Sequence, residues 1–461
     1  MIFSSIPFIF FFLPICLIIY FLVPFKIKNY VLLVFSLIFY AWGEPIYILL
    51  MIFSSVVDYT VGRLIEKKPG NKKLYLFISI IINLGLLGFF KYSDFLINNI
   101  NNLFNSNIAL LKLGLPIGIS FFTFQTMSYS IDVYRGHVKA EKNFFTFMTY
   151  VCMFPQLIAG PIVRYETVSD ELHKREITWA KFQSGMLRFL QGLFKKVLIA
   201  NNVGYLFSTI TALPFGEISV LSAWLAIIAF TLQIYFDFSG YSDMAIGMGK
   251  MLGFTYPENF DHPFVAKSIS EFWNRWHMSL ATWFKDYLYF PLGGSRCKKT
   301  KIIRNLVIVW GLTGLWHGSN WNFIIWGLFF GFILILEKFV FKMDKWPNVI
   351  RHIYTLILII ISFWIFAFED FNLLSNFGKI MFFMSNNNFI DKAFLFYLTN
   401  YLIIIIVACL FSTPLYDKFK ERIKVGKIGS IVVSLIYFAL FIVTIAFLVS
   451  DTYNPFLYFR F

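Results

Sequence analysis

IVVSLIYFALFIVTIAFLV, residues 431–449, is a run without a single Asp, Glu, Lys or Arg. A helix crosses the hydrocarbon core of a bilayer with about 20 predominantly apolar residues, so this run reads as a membrane span. Similar runs recur outward from it: IPFIFFFLPICLIIYFLVPF (6–25), LYLFISIIINLGLLGFF (74–90), FIIWGLFFGFILIL (323–336) and ILIIISFWIFAF (357–368). Of 461 residues, 58% are hydrophobic, 21% aromatic and only 14% charged, whereas soluble domains carry about 25% charged residues. About eleven spans are expected on length and apolarity. No barrel-like alternation of short strands is present, and lipid offers stray backbone groups no partner, so the spans must be helices. The expected fold class is an all-α polytopic membrane protein with added re-entrant and interfacial helices, forming one integral-membrane domain over residues 1–461. The first run exceeds a signal-peptide core, lacks a basic start and is followed by no small-residue cleavage site, so it is expected to remain as an anchor.

The net charge of +15 does not call for nucleic acid, because Lys and Arg mark cytoplasmic loops in such proteins. Basic clusters occur at FKIKN (25–29), RLIEKKPGNKK (63–73), residues 164–196, SRCKKTKIIR (295–304), EKFVFKMDK (337–345) and YDKFKERIKVGK (416–427). Assigning these to the inside puts the N-terminus and the tail 451–461 outside. KYSDFLINNINNLFNSNIAL (91–110), poor in basic residues and rich in Asn, reads as an external loop. The interval between the first two clusters is too short for two full helices and a turn, and AWGEP (41–45) breaks it. FMTYVCMFPQLIAGPIVR (147–164) is likewise interrupted by two Pro and a Gly. Non-helical backbone at membrane depth is tolerated only inside protein or beside a water-filled cavity, so an internal cavity is expected.

Cys16, Cys152, Cys297 and Cys409 are far apart and form no disulfide framework or CxxC metal pattern. There is no Walker loop and no GxGxxG after a strand, so neither ATP hydrolysis nor a dinucleotide cofactor is indicated.

Two constellations carry candidate chemistry. FWNRWHMSLATWFKDYLYFPLGG (272–294), projected at roughly 100° per residue, puts Phe272, Trp273, Leu280, Trp283, Phe284 and Tyr287 on one face. Asn274, Arg275, Thr282, Lys285 and Asp286 share the other. An amphipathic helix at the cytoplasmic interface is expected, with His277 near the edge of its aromatic face, either a satisfied core residue or a functional one. In VIVWGLTGLWHGSNWNFIIWGLFFG (307–331), His317 lies amid residues 306–336, which contain no charged side chain. An ionisable group at such depth is a functional candidate, and HGSN beside it can end a helix. Its imidazole is suited to take a proton from a hydroxyl; a bond to a neighbouring helix carbonyl is the alternative. Asp237 and Asp243, in YFDFSGYSD, are expected to pair with Arg275 or another basic group, or to close a polar break.

These stretches, with LPIGISFFTFQTMSYSIDVYRG (115–136), FPQLIAGPIVR (154–164) and QIYFDFSGYSDMAIGMGKMLGF (233–254), resemble the membrane-bound O-acyltransferase family. The likeness is to its bacterial branch, which acetylates alginate and peptidoglycan or transfers D-alanine to teichoic acid, and it covers most of residues 113–331. It implies an all-helical core around a central tunnel and an acyl group taken from a cytoplasmic thioester. His317 and His277 match the family's two histidines. Asn274, Arg275, Trp276, Lys285 and Trp316 become candidates for holding acyl-CoA or lining the tunnel. Arg275, Lys285, Arg296, Lys298 and Lys299 could bind coenzyme A phosphates, or could be ordinary inside-facing charge.

The expected function is therefore an O-acetyltransferase of the inner membrane. It would move acetyl from cytoplasmic acetyl-CoA, with no permanently bound cofactor or metal, toward an exported cell-envelope polysaccharide through an extracytoplasmic O-acetyltransferase partner. D-alanyl transfer to teichoic acid, or non-enzymatic transport of a small substrate, is the alternative. The ending NPFLYFRF (454–461) has Phe456, Tyr458 and Phe461 in an F-x-Y-x-x-F pattern that resembles acyl-carrying tails of related systems. Tyr458 is thus a candidate acyl relay, and an aromatic interfacial belt is the plainer reading.

Overall fold

The computed structural model describes residues 2–423, 426–450 and Leu457, and among them no strand is formed. The chain divides into two compact units, Met1–Phe189 with Tyr241–Glu258, and Leu190–Gly240 with Asn259–Phe461.

The first unit contains α1 (Leu13–Leu22), α2 (Phe25–Ala41), α3 (Ile48–Lys67), α4 (Lys72–Phe104), α5 (Ile119–Arg135), α6 (Phe144–Cys152), the single turn α7 (Phe154–Leu157) and α8 (Tyr165–His173). Its apolar helices are tied by polar groups that lipid could not satisfy. Asp58 of α3, fully buried, accepts hydrogen bonds from Ser130 Oγ of α5 at 2.6 Å, Asn83 Nδ2 of α4 at 2.7 Å and Ser79 Oγ of α4. The break expected at AWGEP separates α2 from α3, but the interval holds two long helices after all, because each runs on into its flanking basic cluster, α2 starting at Phe25 and α3 ending at Lys67. The break in 147–164 is also present: beyond α7 the backbone is irregular to Arg164, and residues 151–163 are buried, which fits the rule for non-helical backbone. Gly118, at φ +77°, starts α5 where a Cβ would lie 2.9 Å from the Leu157 carbonyl oxygen, so only glycine fits.

The external-loop expectation for 91–110 is corrected here, because α4 runs on through Phe104 and stops at Asn105 in the left-handed region. Asn side chains bond back along the helix, as Asn99 Nδ2 to the Phe95 carbonyl at 2.7 Å, and so support it instead of breaking it. Asp94 then accepts from the backbone N–H of Leu111 and Lys112 at 2.8 and 2.9 Å, folding the following segment against α4.

α9 (Trp179–Phe194) carries the chain into the second unit, which holds α10 (Asn201–Thr211). α11 (Val220–Met251) begins there and ends in the first unit. The second unit continues with α12 (Ile269–Trp273), α13 (Met278–Phe284), α14 (Lys299–His317), α15 (Trp321–Phe339), α16 (Asn348–Ala367), α17 (Phe371–Met381), α18 (Lys392–Phe411), α19 (Leu415–Ile423) and α20 (Lys427–Ser450). Side-chain caps fix several starts: Ser268 accepts from Glu271 N, Asn320 from Trp321 N, Asp370 from Asn372 N and Asp391 from Phe394 N. Such caps satisfy helix-start donors.

Among the described residues seven helices are long and apolar enough to cross a membrane: α3, α4 with its preceding turn, α11, α15, α16, α18 and α20. The count of about eleven included shorter apolar segments such as Phe8–Leu22.

Candidate functional site

The helix expected over 272–290 is broken at its centre. α12 stops at Trp273, a turn follows, and α13 starts at Met278. His277 sits between them at φ +45°, ψ +50°, in the left-handed region, a conformation that costs a non-glycine residue of order 1–3 kcal/mol and persists only where its surroundings hold it. The segment 259–261 does so: the Met278 N–H donates to the Asn259 carbonyl at 3.0 Å, and the Asp261 N–H to the Arg275 carbonyl at 2.9 Å. These bonds replace the i→i−4 partners that a continuous helix would have used. The in-and-out partition survives the break, with Phe272, Trp273, Leu280, Trp283 and Phe284 buried and Asn274, Thr282 and Lys285 exposed.

His317 is the last residue of α14, followed by an extended Gly318 and the Asn320 cap of α15, so the helix ends where HGSN predicts. The α14–α15 hairpin closes tightly at glycines. A Cβ on Gly314 would penetrate the Phe323 carbonyl oxygen, and one on Gly327 the Trp310 carbonyl oxygen. Close backbone approach through small residues is the main packing device available in lipid.

This geometry brings the two histidines together. Their ring centroids are 6.5 Å apart, and His277 and His317 are 0% and 3% exposed. Trp316 packs against both, at 5.9 Å from His277 and 5.0 Å from His317. Phe238 meets His277 edge-on at 4.6 Å, and Trp326 meets His317 edge-on at 4.9 Å. Asn259 Oδ1 accepts from Ser279 Oγ at 2.8 Å and Ser279 N at 3.3 Å, which assigns it as the amide oxygen. His277 Nδ1, 3.1 Å from the same oxygen, must therefore carry its proton there, and Nε2 is the acceptor nitrogen of the neutral ring. Burial, then the nearby His317, hold the His277 pKa well below the usual imidazole value.

A cleft of about 590 Å³ is lined by Trp273, Asn274, Lys285, Thr313, Glu337 and Arg351 among others, and neither histidine is part of its wall. Thr313 is one helical turn before His317 on α14, and Trp326 is in ring contact both with Trp273 of the cleft wall, at 5.8 Å, and with His317, at 4.9 Å. Asn274 and Lys285 thus reach the cleft. Arg275 is engaged elsewhere, by Asp261 at 2.7 Å and Glu271 at 3.2 Å. Trp276 is buried among Tyr235, Phe260, Phe272 and Phe363. Lys299 lies over the Phe339 ring.

Asp237 and Asp243 each pair with a basic group, as expected, in both cases one other than Arg275. Asp237 pairs with Lys196 at 2.8 Å, both nearly fully buried, and accepts the Leu457 N–H at 2.9 Å. Within the first unit Asp243 pairs with Arg188 at 2.6 Å. Phe456, Tyr458 and Phe461 lie outside the described residues. Sequence reasoning missed Asn259, which stands in the loop TYPENFDH (255–262) with no pattern to mark it. It also missed Trp310 and Trp326, whose only signal was tryptophan density along 310–326.

A polytopic all-α membrane protein with a pair of buried imidazoles and a cleft lined by Lys285, Glu337, Lys338 and Arg351 is the class of protein this architecture defines. Residues 134–376 match the model of the membrane-bound O-acyltransferase family. The chain belongs to that family and is an O-acyltransferase. It is 43% identical over 394 residues to the probable alginate O-acetylase AlgI of Pseudomonas syringae pv. tomato, covering 83% of this chain and 75% of that protein. The corresponding Pseudomonas putida protein is 37% identical over 490 residues, 100% of both chains. The peptidoglycan O-acetyltransferase of Helicobacter pylori is 36% identical over 391 residues, 75% of this chain and 73% of that one.

Proposed function

We propose that this protein takes an acetyl group from cytoplasmic acetyl-CoA and passes it across the inner membrane for O-acetylation of an exported cell-envelope polysaccharide of the alginate or peptidoglycan type. The observation that carries the reading is the pair of buried histidines 6.5 Å apart, joined through the Trp326 and Trp273 rings to a cleft whose lining includes the cations Lys285, Lys338 and Arg351. Relatives named for alginate and peptidoglycan acetylation support the acceptor class.

In this reading coenzyme A enters the cleft with its phosphates against those cations, and the thioester carbonyl reaches the histidines. His317 removes the proton from the acceptor hydroxyl as its oxygen attacks the carbonyl carbon. The tetrahedral adduct collapses, the C–S bond breaks, and the departing thiolate takes the proton back from His317. A positioned base of this kind contributes about 10²–10⁴-fold. His277, neutral and fixed by Asn259, orients the donor or polarises its carbonyl.

The first acceptor on the far side is Tyr458. A phenol, with pKa of about 10, is more easily deprotonated than a sugar hydroxyl, and its ester is the better acyl donor. The residue before it, Leu457, is held at Asp237, next to Phe238, which packs on His277. An extracytoplasmic O-acetyltransferase partner would then carry acetyl to the polymer.

Purified protein incubated with radiolabelled acetyl-CoA should acquire one acetyl at Tyr458, identified by mass spectrometry, and release one thiol per acetyl. His317→Ala should abolish both while retaining the wild-type melting temperature. Wild-type turnover by His317→Ala would overturn the assignment of the base, and full polymer acetylation by Tyr458→Phe would overturn the relay.

A further inference from the structure

We propose that the indole N–H groups of Trp273 and Trp326 form the oxyanion site of the transfer, binding the thioester carbonyl oxygen as it takes up negative charge. The inference rests on the reading of His317 as the base.

Trp273, on α12, is 7% exposed and lines the cleft; Trp326, on α15, is 2% exposed and stands edge-on to His317. Their ring centroids are 5.8 Å apart at an interplanar angle of 72°, so one ring lines the cleft and the other packs against the base. Neither Nε1 has a hydrogen-bond acceptor among the described residues. Buried tryptophan N–H groups normally find one, and two such donors in the ring contacts that link the cleft wall to the base call for an acceptor that arrives with the substrate. The carbonyl oxygen of an acyl thioester is one.

Indole N–H is a donor only, so these groups neither gain nor lose a proton in the reaction. As the hydroxyl oxygen bonds to carbon and His317 takes its proton, the carbonyl π pair moves onto oxygen and meets the two N–H dipoles. When the pair returns, the C–S bond breaks and the thiolate leaves with the proton held by His317. Donors fixed before the charge develops stabilise the transition state more than the ground state. The rings are held in place: Phe330 packs edge-on against both, at 5.0 Å from Trp273 and 5.2 Å from Trp326.

Replacing each tryptophan with 3-benzothienylalanine, which keeps the ring shape and exchanges N–H for sulfur, tests the proposal. Single-turnover release of coenzyme A thiol from acetyl-CoA would be followed, alongside melting temperature and KM for acetyl-CoA. Each replacement should lower the rate about 10²-fold with KM and melting temperature unchanged, and Trp326→Phe should lose at least as much. Unchanged rates in both isosteres would overturn the proposal and leave the N–H groups as packing against ring faces. A loss expressed as raised KM alone, or one matched by a lowered melting temperature, would overturn it as well. Activity surviving His317→Ala in the same preparations would instead overturn the underlying reading of the base.

Discussion

Asn259 Oδ1 lies 3.1 Å from His277 Nδ1 and receives two further hydrogen bonds from Ser279. One amide oxygen thereby sets the tautomer of a histidine held in a strained backbone conformation. Asn259→Ala should release the ring and lower turnover by about 10–100-fold, the size of loss known for removing the hydrogen-bond partner that orients a metal-bound histidine. Asn259→Asp keeps the acceptor and adds a negative charge that favours imidazolium, so its activity should fall off at higher pH than wild type on the acid side. Rate–pH profiles of the three proteins check both statements; wild-type turnover by Asn259→Ala would contradict them.

His277 also links stability to pH. Its folded value is held below the unfolded value of about 6.5 by burial and by His317. Between those two values the unfolded chain binds more protons, so stability rises with pH there. The contribution is complete above about pH 6.5 and is lost as pH falls toward the folded value, with a slope of at most about 1.4 kcal/mol per pH unit for one proton. Melting temperatures in detergent should fall on acidification through that window, and His277→Gln should flatten the dependence.

The Lys196–Asp237 pair, with side chains 3% exposed on each side, predicts an asymmetry. Asp237→Ala leaves a buried ammonium without its counter-charge and should cost about 3–5 kcal/mol. The double variant Lys196→Met, Asp237→Leu removes both charges and should recover most of that loss. Thermal unfolding of the three proteins followed by size-exclusion recovery decides it, and equal damage in the single and double variants would show that the pair is not the cause.

The helices of both units were legible because apolarity over about 20 residues leaves few alternatives in lipid, and His317 was legible because no charged residue surrounds it. The break at His277 was not. A periodicity of 3.6 places side chains on the same faces whether the helix is continuous or interrupted by one turn, and the partition of 272–285 was indeed preserved. What breaks the helix is Asn259, brought in from a loop whose sequence has no periodicity, and a tertiary partner of that kind leaves no local mark. The Asn-rich end of α4 misled for the opposite reason: polar residues were read as a loop, whereas Asn99 bonds back to the helix carbonyl of Phe95. The partner of Asp237 was equally hidden, since Lys196 and Arg275 are indistinguishable to a sequence-based count of nearby cations.

The position of His317 depends on how closely α14 and α15 approach, and this yields a graded prediction across three glycines. A methyl group on Gly327 would overlap the Trp310 carbonyl oxygen and one on Gly314 the Phe323 carbonyl oxygen, whereas at Gly311 the nearest atom would be Leu328 Cδ2 at 3.6 Å, an ordinary contact. The first two obstacles are backbone atoms of a packed hairpin, so they yield only if the helices separate. Gly327→Ala and Gly314→Ala should each destabilise the protein by about 1–3 kcal/mol, the cost of overpacking, and displace His317 enough to reduce acyl transfer well beyond the loss of folded protein. Gly311→Ala should stay within about 0.5 kcal/mol of wild type, because alanine's better helix propensity meets no clash. Melting temperature and transfer rate per folded molecule are the two readouts. A Gly327→Ala variant with wild-type values in both would mean that the hairpin does not set the histidine.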